Sequence, residues 1–374
     1  MRSIYLDHNA TTPLLLEAAD AMRRTEAEAF GNPASAHHIG RAARRALEDA
    51  RERIAALLGA SPDEVTFTSG ATEANNLAVF ALAGGRVTAS PIEHPCVVEP
   101  LRQLETRGFA VDWWPANSRG LVAPSPVHAD ARLVCVMLAN HETGAIQPVR
   151  EIAAALPTKT ALHCDAVQAV GKFPVNFREL GVTTLTASAH KFGGPKGVGV
   201  LLAKRGTKLH PLLFGGHQQQ GKRPGTESAP LAAGMAAALD HATRNMPANL
   251  AKLTALRARL WERLCELGPV VLNGPEIGAT DVVPTTLNVS FPGCRADLLL
   301  MALDLAGVAC STGSACSSGS LLPSPVLRAM GLSDELLHSA LRFSLSPRLE
   351  LDDIDEAASR ISSVLRPMWK FATL

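Results

Sequence analysis

One pattern recurs about five times between residues 62 and 205: a short apolar, β-prone run, a cluster of small polar residues, then a helical stretch. The runs are 65–68, 86–90, 133–138, 160–164 and 182–186. Strands separated by helices do not pair as hairpins. They lie side by side in a mainly parallel sheet with helices on both faces, an α/β fold. The polar clusters all follow the carboxyl ends of strands, so they gather along one edge, where open sheets of this kind carry their sites.

Each cluster has its own chemistry. After 182–186 come Ser188, Ala189, His190 and Lys191, then a glycine-rich turn and a second β-prone run, 197–202. A lysine held by a turn between two strands points its amine into a confined space. Burial lowers its pKa and frees it to condense with an aldehyde. Taken alone, a solvated surface lysine reads the same way. After 65–68 come Ser69, Gly70, Ala71, Thr72 and Glu73, then an apolar helix to about residue 82. Free N–H groups and the positive end of the helix dipole make an anion cradle there; a plain N-cap uses the same residues. Neither Walker spacing nor G-x-G-x-x-G is present, so a nucleotide is not the obvious anion. His94 precedes Pro95 at a strand-to-helix turn, as a cap or as a ligand contact. Asn140-His141-Glu142-Thr143-Gly144 ends the run 133–138, and Asp165-Ala166-Val167-Gln168 ends 160–164, where an aspartate often caps a helix.

Beyond residue 205 the pattern changes. A Gly-, Gln- and Lys/Arg-rich loop, 214–226, leads to helices at about 228–243 and 250–267. Strands at 270–272, 285–291, 308–311 and 340–345 then alternate with helices at 296–305 and 352–365. This reads as a second, α+β domain, with 250–267 as the bridge. Cys316 lies in a loop, 312–320, whose other residues are almost all Gly, Ser or Ala. Such a segment has little to bury, which suits a thiolate that must reach outward; a structural cysteine would sit among larger apolar residues. Cys310, on the preceding strand, reads as packing.

Composition removes other classes. A net charge of +1 with no long run of one sign points to no nucleic-acid or membrane partner. No stretch reaches about 18 apolar residues, and the strand at residues 4–6 leaves no room for a signal peptide. Seven cysteines without a Cys-x-x-Cys disfavour a disulfide framework or zinc ribbon and suit a reducing cytoplasm. His37-His38 and the scattered cysteines lack ligand spacing, so no metal site is expected.

Nine segments, in this order, resemble the pyridoxal-phosphate-dependent cysteine desulfurases, the NifS/IscS-like group of class V aminotransferases. They are residues 5–13, Gly31-Asn32-Pro33-Ala34-Ser35, residues 68–73, Glu93-His94, residues 163–168, Ser188-Ala189-His190-Lys191, Arg223-Pro224-Gly225-Thr226, Gly313-Ser314-Ala315-Cys316 and residues 341–345. Each is weak alone; the ordered set, covering about residues 4–347, is specific. The resemblance implies the PLP-dependent transferase fold type I: a large domain, residues 13–250, with a mainly parallel seven-stranded sheet, and a small α+β domain from residues 1–12 and 251–374.

The same resemblance implies the site. Lys191 would hold pyridoxal 5'-phosphate covalently and Asp165 would pair with its pyridine nitrogen. His94 would stack on the ring and shuttle protons, and Gln168 would bond the phenolic oxygen. Gly70, Ala71 and Thr72, with Ser188 and His190, would take the phosphate, which Thr226 would reach from the partner subunit of a homodimer. Arg342 would fork the substrate carboxylate with Asn140 beside it. Cys316 would take the sulfur of L-cysteine, leaving L-alanine and a persulfide for a sulfur-acceptor protein, an Fe–S scaffold or sulfur carrier. His141, Gly193 and His217-Gln218-Gln219-Gln220 depart from the usual pattern. Two rivals use the same fold: a selenocysteine lyase or class V aminotransferase indifferent to Cys316, and a non-catalytic sulfur carrier or scaffold. The Gly-Ser-Ala-Cys loop argues against the first, and the presence of both Lys191 and Asp165 against the second.

Overall fold

The structure is a computed structural model that describes residues 2–313 and 323–372. Its centre is a seven-stranded sheet in the order Val65–Thr68, Gly199–Ala203, Thr184–Ser188, Ala161–Asp165, Ala131–Cys135, Arg86–Ala89, Val111–Trp113. Gly199–Ala203 runs antiparallel to both neighbours, and the other pairings are parallel. Thr184–Ser188 and Gly199–Ala203 are buried at every residue, as expected of strands covered on both faces.

The strand expected at 182–186 begins two residues later, because Gly181 ends a helical turn in the left-handed region at φ +71°. Residues 136–138 leave the ladder but stay extended: Val136 N–H donates to the His163 carbonyl at 3.1 Å and Leu138 N–H to the Asp165 carbonyl at 2.8 Å. The edge strand Val111–Trp113 and the helix Leu16–Glu28 are additions to the sequence reading. That helix and His38–Leu58 both pack on Ala229–Arg244.

Two large apolar clusters form. One joins the sheet, through Val134, Leu162, Leu185 and Val200, to Leu47 and Ile54 of His38–Leu58. The other gathers Leu253, Leu256, Leu260 and Leu264 of Met246–Cys265 with Leu287, Phe291, Leu341 and Phe343. The closing helix, Leu351–Ala372, runs longer than 352–365 and adds Ile354, Ile361 and Leu365. Ile4 and Leu6 join this second cluster, since Ile4–Tyr5 pairs in parallel with Val308–Ala309. The chain start is thereby tied to residues three hundred positions away, and its loop, residues 7–12, is delivered over the carboxyl edge of the large sheet.

Candidate active site

A cavity of about 420 Å³ opens at that edge. Lys191 enters from the turn after Thr184–Ser188, and its Nζ donates to the carbonyls of Asn9 at 2.6 Å and Ala10 at 3.0 Å. The turn is stitched to the N-terminal loop: Thr12 Oγ1 donates to the His190 carbonyl at 2.8 Å and accepts from Gly193 N–H at 2.8 Å. Gly193 has φ +87°, and a Cβ there would meet Leu15 Cγ at 2.6 Å. The bulkier residue usual at that position would be strained twice over.

Asp165 ends the central strand and is buried. Its Oδ1 accepts Val167 N–H at 2.9 Å and its Oδ2 accepts Asn75 Nδ2 at 2.7 Å. Burial raises its pKa, partly offset by these bonds and by Lys191. Among the described residues it makes no ion pair. A cation beside its carboxyl would favour the ionised form further.

His94 caps the helix Pro95–Thr106, its Nδ1 accepting Cys96 N–H at 3.2 Å, and it also lines the cavity. The alternatives of cap and site residue are therefore both realised. Burial first, then Lys191 and Arg342, lower its pKa to about 4, so the ring is neutral near pH 7. Its ring meets that of His141 edge-on, centroids 5.2 Å apart.

Gly70, at φ +153°, ends the turn into Ala71–Leu82, a helix whose first N–H groups receive no side-chain cap. A Cβ on Gly199 would lie 2.9 Å from Gly70 backbone, so glycine there lets the antiparallel strand press the turn into place. Gly70, Ala71, Thr72, Ser188 and His190 share the cavity wall. Gln168 lines it too, donating to the Asn9 carbonyl at 3.0 Å and accepting from Lys172.

Arg342 reaches the cavity from Ala340–Ser344, a strand of the second apolar cluster. It is 1% exposed; Nη2 donates to Asp7 Oδ1 at 2.7 Å and Nη1 to the His141 carbonyl at 3.1 Å. Nε has no partner among the described residues. A buried guanidinium with an unused donor is a receptor for an anion.

Three expected residues stand elsewhere. Asn140, expected beside the substrate carboxylate, is not among the residues lining the cavity, although its neighbours Ala139 and His141 are. Its Oδ1 accepts the N–H groups of Glu142 and Thr143, both at 2.9 Å, and its Nδ2 donates to the Ile92 carbonyl at 3.1 Å. It shapes the turn that carries His141. Thr226 lies on the wall of a neighbouring cavity of about 200 Å³ and is exposed. Cys316 lies outside the described residues, whose last member before it, Gly313, sits against the Glu142 carboxylate. That carboxylate accepts from Ser324 Oγ at 2.5 Å. Cys310 is half-buried, and burial followed by Asp7 pushes its thiol up to about 12, in keeping with a packing role.

The sequence reading passed over Asn75, Cys96 and Lys172. Lys172 is half-buried; its Nζ donates to Asn9 Oδ1 at 2.9 Å and to Gln168. Burial, then Lys191 and Arg342, holds its pKa well below the usual lysine range. Its place one turn beyond Gln168 was the available signal.

Residues 4–356 match the family described as aminotransferase class-V. The chain belongs to the class-V aminotransferase family. It is 42% identical to a protein of Dictyoglomus turgidum named cysteine desulfurase IscS, over 98% of this chain and 95% of that one. It is 36% identical to a cysteine desulfurase IscS of Methanosarcina thermophila, over 100% of this chain and 94% of the other. A solved structure titled NifS-like protein superposes with a TM-score of 0.91 at 34% identity, covering 97% of this chain and 99% of that one. Class-V aminotransferases of this NifS/IscS-like group use pyridoxal phosphate, and the residues present fit it. A primary amine, a buried carboxylate, and a helix N-terminus whose glycine N-cap supplies no side-chain hydrogen bond face one cavity. No helix among the described residues is long and apolar enough to cross a membrane, and no His, Cys, Asp or Glu cluster among them would hold a metal.

Proposed function

We propose that the chain is a cysteine desulfurase, taking sulfur from L-cysteine to give L-alanine and a persulfide on Cys316 that passes to an acceptor protein. What carries the reading is Arg342 in the same cavity as Lys191: a buried guanidinium whose Nε–H is unused among the described residues, on the wall that holds the amine. An amino-acid carboxylate is the anion that suits both. The bound cofactor, held by Lys191, Asp165, Gln168 and the Gly70–Thr72 turn, supplies the sink for electrons released at the substrate Cα.

The protein does the rest. Arg342 anchors the carboxylate and so presents Cα to Lys191 Nζ, which removes its proton. The neutral ring of His94 exchanges a proton within the cavity. Cys316 thiolate takes the substrate Sγ: an S–S bond forms, the C–S bond breaks, and its electron pair stays with the carbon, which becomes alanine's methyl after protonation. Residues 13–250 make the large domain, and residues 1–12 with 251–374 the small one that brings Arg342 to it; the two apolar clusters support that division. A second copy completes the site with Thr226, in a cytoplasmic homodimer. The test is mass spectrometry of the holoenzyme after L-cysteine: one added sulfur on the peptide bearing Cys316, absent from Cys316→Ala. Undiminished alanine formation by that variant would overturn the reading.

A further inference from the structure

Three buried polar groups, Cys96 on the cavity wall and Asn75 and His163 behind it, have no part in the chemistry above. Asn75 (0% exposed) lies on Ala71–Leu82, His163 (1%) on Ala161–Asp165, and Cys96 (8%) at the start of Pro95–Thr106. Their contacts form one chain. Thr184 Oγ1 is 2.9 Å from His163 Nδ1, and His163 Nε2 is 3.0 Å from Asn75 Oδ1. Asn75 Nδ2 is 2.7 Å from Asp165 Oδ2 and 3.0 Å from Cys96 Sγ, and Cys96 Sγ is 2.9 Å from His94 Nδ1.

Donor and acceptor capacities give this chain a direction. A carboxylate accepts only, so the Asn75 atom facing Asp165 is the nitrogen, and its oxygen faces His163. His163, neutral because burial lowers its pKa to about 3, then carries its proton on Nε2 and accepts the Thr184 hydroxyl at Nδ1. The second Asn75 hydrogen points at the Cys96 sulfur, which passes its own hydrogen to His94 Nδ1. That nitrogen already accepts Cys96 N–H at 3.2 Å. A neutral imidazole has one acceptor nitrogen, and here it is Nδ1.

We propose that Asn75 and Cys96 are positioning residues that lock His94 as its Nε2–H tautomer, so that Nε2 is the atom offering a hydrogen to whatever occupies the cavity. The same amide that holds Asp165 thus sets the proton on His94. The identity of the occupant rests on the desulfurase reading; the tautomer does not.

The experiment is 15N NMR of the histidine rings in labelled protein near pH 7, with and without pyridoxal phosphate, in the parent chain and in Cys96→Ser and Cys96→Ala. The expected parent spectrum has His94 neutral with its proton on Nε2. Serine, which keeps an O–H donor and acceptor, preserves that spectrum. Alanine leaves Nδ1 with the position-96 backbone N–H alone, so the Nε2–H form stays the major one but measurably less dominant, and kcat/KM for L-cysteine falls roughly fivefold, the worth of one hydrogen bond, with serine restoring most of it. A parent ring protonated on Nδ1 overturns the proposal, and needs no variant to fold. So does a Cys96→Ala ring identical to the parent's. Loss of desulfuration in every protein with the Nε2–H spectrum intact would instead count against the proposed reaction alone.

Discussion

Two cavities of nearly equal size, about 420 and 410 Å³, lie in this molecule, and only one has the makings of a reaction site. The second is lined by Arg44, Arg51, Gln219 and Glu227. Its polar groups largely answer each other. Arg51 Nη1 donates to the Val65 carbonyl at 2.6 Å and to Gln219 Oε1 at 3.0 Å, Nε donates to Glu48 at 2.8 Å, and Gln219 Nε2 donates to Glu227. In the first cavity Arg342 Nε and His141 Nδ1 are unanswered among the described residues, and Asp165 is buried with its pKa raised despite Lys191. Volume is alike; the difference is how far the protein has spent its own hydrogen bonds. Groups kept buried and unanswered cost stability and are retained where a ligand answers them.

This contrast can be broken at several points. The largest effect is expected from Lys191→Ala: loss of the visible absorbance of the holoenzyme and a fall in kcat/KM of roughly 10⁴-fold. Arg342→Lys keeps the charge but loses the fork, so kcat/KM for L-cysteine should fall roughly 10²-fold with the absorbance retained. Arg342→Ala should also destabilise the fold by about 3 kcal/mol, because Asp7 loses its partner; urea unfolding reads that. A rise in activity on either change would remove Arg342 from the site.

Glu93 behind the first cavity offers a pH test. Burial, opposed by Met137 N–H and helped by Asp165, raises its pKa from 4.5 to about 8. The folded state then holds a proton the unfolded state has lost, so stability falls as pH rises between about 4.5 and 8. Glu93→Gln, which never ionises, should flatten that slope and melt a few degrees above the parent at pH 9. Equal pH dependence in both proteins would show Glu93 ionised in the fold.

The smallest effect belongs to the second cavity. Gln219→Ala leaves Arg51 Nη1 and Phe67 N–H, which it accepts at 3.0 and 2.9 Å, short of an acceptor. A loss of about 1 kcal/mol with kcat and KM unchanged is expected. A large change in KM would make the two cavities one functional unit.

The placement of Lys191, Asp165, His94, Ser188 and His190 could be read from the chain because each closes a strand, and strand ends in a parallel sheet share an edge. Asn140 has the same address, and its amide oxygen also shapes its own turn. Gln219 belongs to the segment 217–220 that departs from the usual pattern. In the structure it sits in the left-handed region at φ +50°, and its neutral amide meets Arg51 on one side and Glu227 on the other. Nothing in the local sequence announces partners 152 and 168 positions away.

By itself, then, the order of apolar runs and polar clusters determined the parallel sheet, the edge that carries the site and most of its side chains, because periodicity and strand direction are local properties of a chain. The tertiary structure alone decided which polar atoms were consumed internally and which were left for a ligand. That outcome depends on distances between residues remote in sequence: Asn9 with Lys172 and Lys191, Asn75 with Asp165 and Cys96, and Arg342 with Asp7.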